Sequence, residues 1–91
     1  MVVALITLEL SLPARTLKEK RMLVKSLLSR LRQRHNLSVH EAGHQDFPGR
    51  SRLAAAWVGP DPDSAQRVLE SVLNLAEQAG AQVLSQELEL F

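Results

Sequence analysis

The 91-residue chain has no cysteine and no tyrosine, and only one tryptophan and two phenylalanines. The lack of cysteine rules out disulfides, thiolate nucleophiles and sulfur metal ligands, and an uncrosslinked domain of this length is the form expected in a reducing cytoplasm. The scarcity of aromatics removes the stacking platforms on which single-stranded bases are usually read. Glycine and proline number four each, so there is too little of either for a flexible linker or an extended low-complexity tract. No run approaches the eighteen or more apolar residues of a membrane span. The opening "MVVALITLELSLP" lacks a basic leader, alternates, and carries Glu9, so it is expected to be a strand and not a secretion signal.

What is present suits a single globular domain over residues 1–91. Forty-five percent of residues are apolar and 23% charged, and the formal net charge is +1, within the ordinary range for folded proteins. Val2, Ala4, Ile6, Leu8, Leu10 and Leu12 alternate along a first strand that Pro13 ends. Thr16 and Glu19 form a capping box. After it, Leu17, Val24, Leu27, Leu28 and Leu31 keep helical spacing, and Asn36 is the expected left-handed stop. Leu37 to Ala42 is a short second strand, "GHQDFPGRS" a loop, and Leu53 to Val58 a third strand. Asp61 caps a second helix with Pro62 at its first position. Ala65, Val68, Leu69, Val72, Leu75, Ala76 and Ala79 continue its period up to Gly80, and Val83 to Leu90 is the last strand.

The order β α β β α β, with right-handed crossovers, predicts a ferredoxin-like α+β two-layer sandwich. Its four-stranded antiparallel sheet has the order 4-1-3-2, with both helices on one face. The other face is left bare, yet Val3 and Leu5 fall there, and the third strand is apolar on both sides. One of the sets Leu53, Ala55, Trp57 or Ala54, Ala56, Val58 must face away from the helices, and Val3, Leu5 and Trp57 are candidate contacts of a homodimer or a covering partner, because monomers seldom leave such a patch in water.

Charge is distributed unevenly. Residues 13–35 hold eight cations and one anion, a local charge of +7; the rest of the chain holds three cations and nine anions, −6. Lys18, Arg21, Lys25 and Arg32 share one sector of the first helix, a stripe roughly 21 Å long at 1.5 Å per residue. Such a stripe is the expected footprint of contact with nucleic-acid phosphates that is independent of base sequence. It equally suits a solvated helix flank or a docking surface for an acidic protein. Lys20 falls toward the buried sector and is expected to snorkel at the sheet edge. In "HEAGHQD", His40 and Glu41 point to opposite faces of a strand. His44 and Asp46 alone do not make a site, so no metal is expected. No glycine-rich phosphate loop, nucleophile elbow or paired-carboxylate pattern occurs. The chain is expected to be non-enzymatic and to need no cofactor.

The segment "LELSLPARTLKEKRMLVKSLLSRLRQRHNLSVHEAGHQD" resembles the YlxP-like family of small bacterial proteins of unknown function. Its most specific pieces are "LKEKR", "NLSVHE" and "HQD". The resemblance implies a ferredoxin-like fold and, from the neighbourhood of such genes to translation and ribosome-maturation factors, a cytoplasmic role near RNA or ribosomal particles. It singles out Lys18, Glu19, Lys20, Arg21, Glu41, Gln45 and Asp46. The chain departs from the family pattern at "FPGR", where Pro48 and Gly49 alter the loop between the aromatic and basic positions. In the expected fold, Glu41 or Asp46 pairs with Lys18 or Arg21.

Overall fold

The computed structural model describes residues 1–91. Its elements are β1 (Val2–Ser11), α1 (Leu17–Arg34), β2 (Leu37–Gly43), β3 (Arg50–Gly59), α2 (Pro62–Gln78) and β4 (Gln82–Leu90). They form one antiparallel sheet of order β2-β3-β1-β4, the expected order read from the opposite edge. β1 pairs with β3 from Val2↔Gly59 to Ser11↔Arg50. It pairs with β4 from Ala4↔Leu90 to Ser11↔Gln82, with a bulge after Glu9.

Local chemistry accounts for the helix ends. The Thr16 hydroxyl accepts the Glu19 amide and donates to the Glu19 carboxylate, both at 3.1 Å, which satisfies an orphan donor at the start of α1. The Asp61 carboxylate accepts the Ser64 amide at 2.7 Å and caps α2, followed by Pro62. These bonds hold the Asp61 carboxyl below its ordinary range. Gly80, at φ +91°, ends α2 in the left-handed conformation that a side chain disfavours. The expected left-handed stop at Asn36 does not form. α1 ends at His35 in extended backbone, and His44 is the non-glycine residue with positive φ, at 61°. The chain reverses direction between α1 and β2 without a left-handed residue, and His44 supplies one in the β2–β3 hairpin instead.

The core lies between the sheet and the helices. Ala4, Ile6, Leu8 and Leu10 of β1 meet Val24, Leu27 and Leu31 of α1 and Ala65, Val68, Leu69, Val72, Leu75 and Ala76 of α2. Leu17 and Leu28 are half-buried at the margin of the α1 stripe. From β3, Ser51, Leu53, Ala55 and Trp57 point inward. Trp57 therefore belongs to the core, at 7% exposure, and the expectation that it faces outward is corrected. Both faces of β3 are apolar, so alternation alone had no phase. The indole selects the helix side because that layer is deep enough to cover it. β3 also starts three residues earlier than expected, at Arg50, which shortens the hairpin loop.

The opposite face carries Val3, Leu5, Thr7 and Glu9 from β1, and Arg52, Ala54, Ala56 and Val58 from β3. Ser38 and His40 lie on one margin, Glu87 and Glu89 on the other. No helix covers this face.

Candidate nucleic-acid interface

α1 lies along the β2 edge of the sheet. Its inward residue nearest the hairpin is Lys20, which is 1% exposed and is buried outright, not snorkelling. The Lys20 ammonium is 2.9 Å from Glu41 Oε2 and donates to the His44 carbonyl. The buried Ser51 hydroxyl donates to the same Glu41 oxygen at 2.6 Å. A charge taken out of water requires such compensation. The partner of Glu41 is thus Lys20, and neither Lys18 nor Arg21 is paired. Inward-facing Glu41 follows inward-facing Val39 by two on β2, so strand alternation together with the helical position of Lys20 carried the signal for this pair.

The hairpin also acts on the open face. His44 Nε2 is 3.1 Å from Glu9 Oε2, Arg52 donates to Glu9 Oε1, and Arg50 Nη2 is 3.9 Å from Glu9 Oε2. Burial raises the Glu9 carboxyl, but the bonds and charges of Arg52 and His44 outweigh it and hold Glu9 below its ordinary range. Among the residues singled out by resemblance, Lys20 and Glu41 meet directly. Gln45 reaches back to the Glu41 carbonyl at 3.4 Å, Glu19 serves the helix cap, and Asp46 stays exposed without an ion-pair partner.

The outer flank of α1 is different. Lys18, Arg21 and Lys25 are exposed and form no ion pair, as do Arg30, Arg32 and Arg34; every ion pair of the fold involves Glu9 or Glu41. Arg32 is engaged otherwise: its Nη2 donates to the Val39 carbonyl at 2.6 Å, which occupies an unpaired group on the β2 edge. One of the four expected phosphate ligands is therefore also a structural tie. Between α1 and β2 runs an open groove of about 240 Å³, rimmed by Arg21, Lys25 and Arg32, walled by Val24 and Leu28, and reaching the Lys20–Glu41 pair. On the other flank, Arg30 and Arg34 border a shallow depression of about 390 Å³ with Leu75 and Gln78 of α2. Arg30 and Arg34 do not fall in the sector shared by Lys18, Arg21, Lys25 and Arg32, because their helical positions lie on the far side of the buried stripe.

This architecture defines a ferredoxin-like α+β protein. SnoaB, a cofactor-independent oxygenase from Streptomyces nogalater, is similar over 99% of this chain and 90% of its own, with TM-score 0.56 and 15% identity. A dimeric ferredoxin-like protein of unknown function from Thermobifida fusca is similar over 100% and 90%, with TM-score 0.51 and 14% identity. At such identities the likeness is one of fold. Within that class, the family model "Protein of unknown function (DUF503)" matches residues 3–88. The uncharacterised protein YlxP of Bacillus subtilis strain 168 is 35% identical over 60 residues, which span 66% of this chain and 65% of that protein. The chain belongs to the DUF503 family, the YlxP-like proteins. No helix is long and apolar enough to cross a membrane.

Proposed function

We propose that the protein is a non-enzymatic cytoplasmic binding protein that contacts RNA or a ribonucleoprotein through the outer flank of α1. The observation that supports this reading is charge without compensation: six of the seven cations of α1 have no carboxylate partner in the fold, while Lys20, the seventh, is buried in one. A row of unneutralised cations beside an open groove attracts a polyanion and releases its counterions on binding. The non-enzymatic reading is supported by the burial of Ser51, the hydroxyl nearest a carboxylate: at 0% exposure it is out of reach of a substrate.

Fluorescence anisotropy with labelled single-stranded and structured RNA, at several salt concentrations, tests the proposal. Lys18, Arg21 and Lys25 each neutralising one single-strand phosphate give a log–log salt slope of about −2. The Lys18→Ala/Arg21→Ala/Lys25→Ala variant loses that binding and keeps its melting temperature, because none of the three is tied into the fold. Absence of binding, or binding unchanged in the variant, overturns it.

A second reading, self-association through the open sheet face, is favoured by a separate observation. Val3 and Val58, directly paired there, are 37% and 45% exposed beside Leu5 and Ala56, and apolar groups at the centre of a sheet face are commonly covered.

A further inference from the structure

We propose that two copies of this chain join their open sheet faces about a two-fold axis running parallel to the strands, between β1 and β3. This rests on the self-association reading and is independent of the polyanion reading of α1.

The argument comes from the order of residues on the face. Along the strands it consists of rows: Val58–Val3–Phe91, then Ser38–Ala56–Leu5–Glu89, then His40–Ala54–Thr7–Glu87, then Arg52–Glu9–Ser85. A two-fold axis along the strands keeps each row at its own height and reverses it left to right. β1 of one copy then lies over β3 of the other, and β4 over β2. Val3 meets Val58, Leu5 meets Ala56 and Thr7 meets Ala54 through the middle. Glu9 meets Arg52 at one end, and at the margins Glu87 meets His40 and Glu89 meets Ser38. The paired positions match: the valines fall on each other, Leu5 on Ala56 and Thr7 on Ala54, and Glu9, Glu87 and Glu89 fall on a cation, an imidazole and a hydroxyl, with Phe91 and Ser85 at the margins of the end rows.

The alternative face-to-face axis, across the strands, fails on the same rows. It reverses their order along the strand, so that Val3 and Val58 fall on Glu9 and Arg52, which loses the hydrophobic contact and strips water from charges without new partners. Packed sheets lie about 10 Å apart with strands within about 30° of each other. That rotation shifts the marginal rows by about 4 Å, within reach of Glu and His side chains, and leaves the central rows in place. Four strands spaced ~4.8 Å and seven residues of ~3.3 Å, from Val3 to Glu9, give a planar footprint of roughly 450 Å² per copy. The pair buries about 900 Å², at the low end for specific interfaces. The expected dimer is therefore reversible and dependent on concentration.

Sedimentation equilibrium over a concentration series tests this. The chain should approach twice its 10.1 kDa mass as concentration rises, and Leu5→Arg should remain monomeric with an unchanged far-UV circular dichroism spectrum. Should Leu5→Arg fail to fold, the margins carry the test through exposed positions. Glu87→Lys and His40→Glu should each weaken the dimer about tenfold, and the double variant should recover most of that loss. Residues 40 and 87 lie on opposite edge strands of one copy, about 14 Å apart at three strand spacings. Rescue between them therefore reports contact between copies. A monomer at all concentrations overturns self-association altogether. A dimer indifferent to Leu5→Arg, or one without the double-variant rescue, overturns this geometry alone.

Discussion

Lys20 stands between Lys18 and Arg21 in sequence, and its neighbours face water while it does not. Removing one partner of a buried pair leaves the other charge uncompensated, which costs about 3 kcal/mol. Lys20→Met should therefore lower Tm by roughly 12 °C or more in a domain of this size, and Lys20→Met/Glu41→Met should recover a large part of that loss. Urea denaturation of the single and double variants measures both; a neutral Lys20→Met would mean that the buried ammonium contributes nothing. Gly59 offers a second case. A β-carbon there would overlap the Trp57 ring, so Gly59→Ala should destabilise by about 2 kcal/mol through overpacking and shift the tryptophan emission. The Lys20–Glu41 pair was half legible in the sequence. Helical position placed the lysine inward, but its partner lies 21 residues on, and only the strand face of Glu41 connects them. Gly59 could not be read at all, because the clash depends on how the indole folds back across the strand.

At the level of elements, α2 was the most legible part of the chain. Its cap, its proline and its terminal glycine are chemical signals confined to a few neighbouring residues. β3 was the least legible, because Arg50, Ser51 and Arg52 do not resemble strand residues until Ser51 has Glu41 to bond and Arg52 has Glu9. The C-terminal end of α1 meets α2 where His35 Nε2 and Ser71 Oγ lie 2.7 Å apart. Burial, and then the charge of Arg34, lower the His35 imidazole below its ordinary 6.5. The unfolded chain thus takes up this proton before the folded one does. The stability it supports is complete above pH 6.5 and is lost as pH falls from there through the lowered folded value. His35→Gln should flatten Tm between pH 7 and 5 relative to the parent protein, as followed by thermal melts. Glu9 acts lower on the scale: its contribution is present above the ordinary carboxylate range and is lost as pH falls through its depressed value.

Across the whole molecule, the charge division seen in the sequence becomes a spatial one. The cations of α1 lie on the outer surface of the helix layer, and the carboxylates of β4 border the open face of the sheet. The open face itself was expected from the topology, and Val3 and Leu5 were placed on it correctly. Its row-by-row complementarity was not legible, because it depends on strand register across four segments. Amide hydrogen exchange should find Ile6, Leu8 and Ala55 among the last to exchange, since β1 and β3 are flanked by strands on both sides. Early exchange at these amides would contradict the strand order.

That strand order also sets a sequence of events in time. β1 is central and strongly apolar, yet Val2 pairs with Gly59 and Ala4 with Leu90, far along the chain. The β2–β3 hairpin closes over a few residues, whereas β1 finds one neighbour only when β3 has been made and the other only when β4 has. Loop closure of that length is slow compared with hairpin formation. A nascent chain therefore carries its stickiest strand unpaired for most of its synthesis, with the basic α1 segment as the nearest soluble stretch beside it.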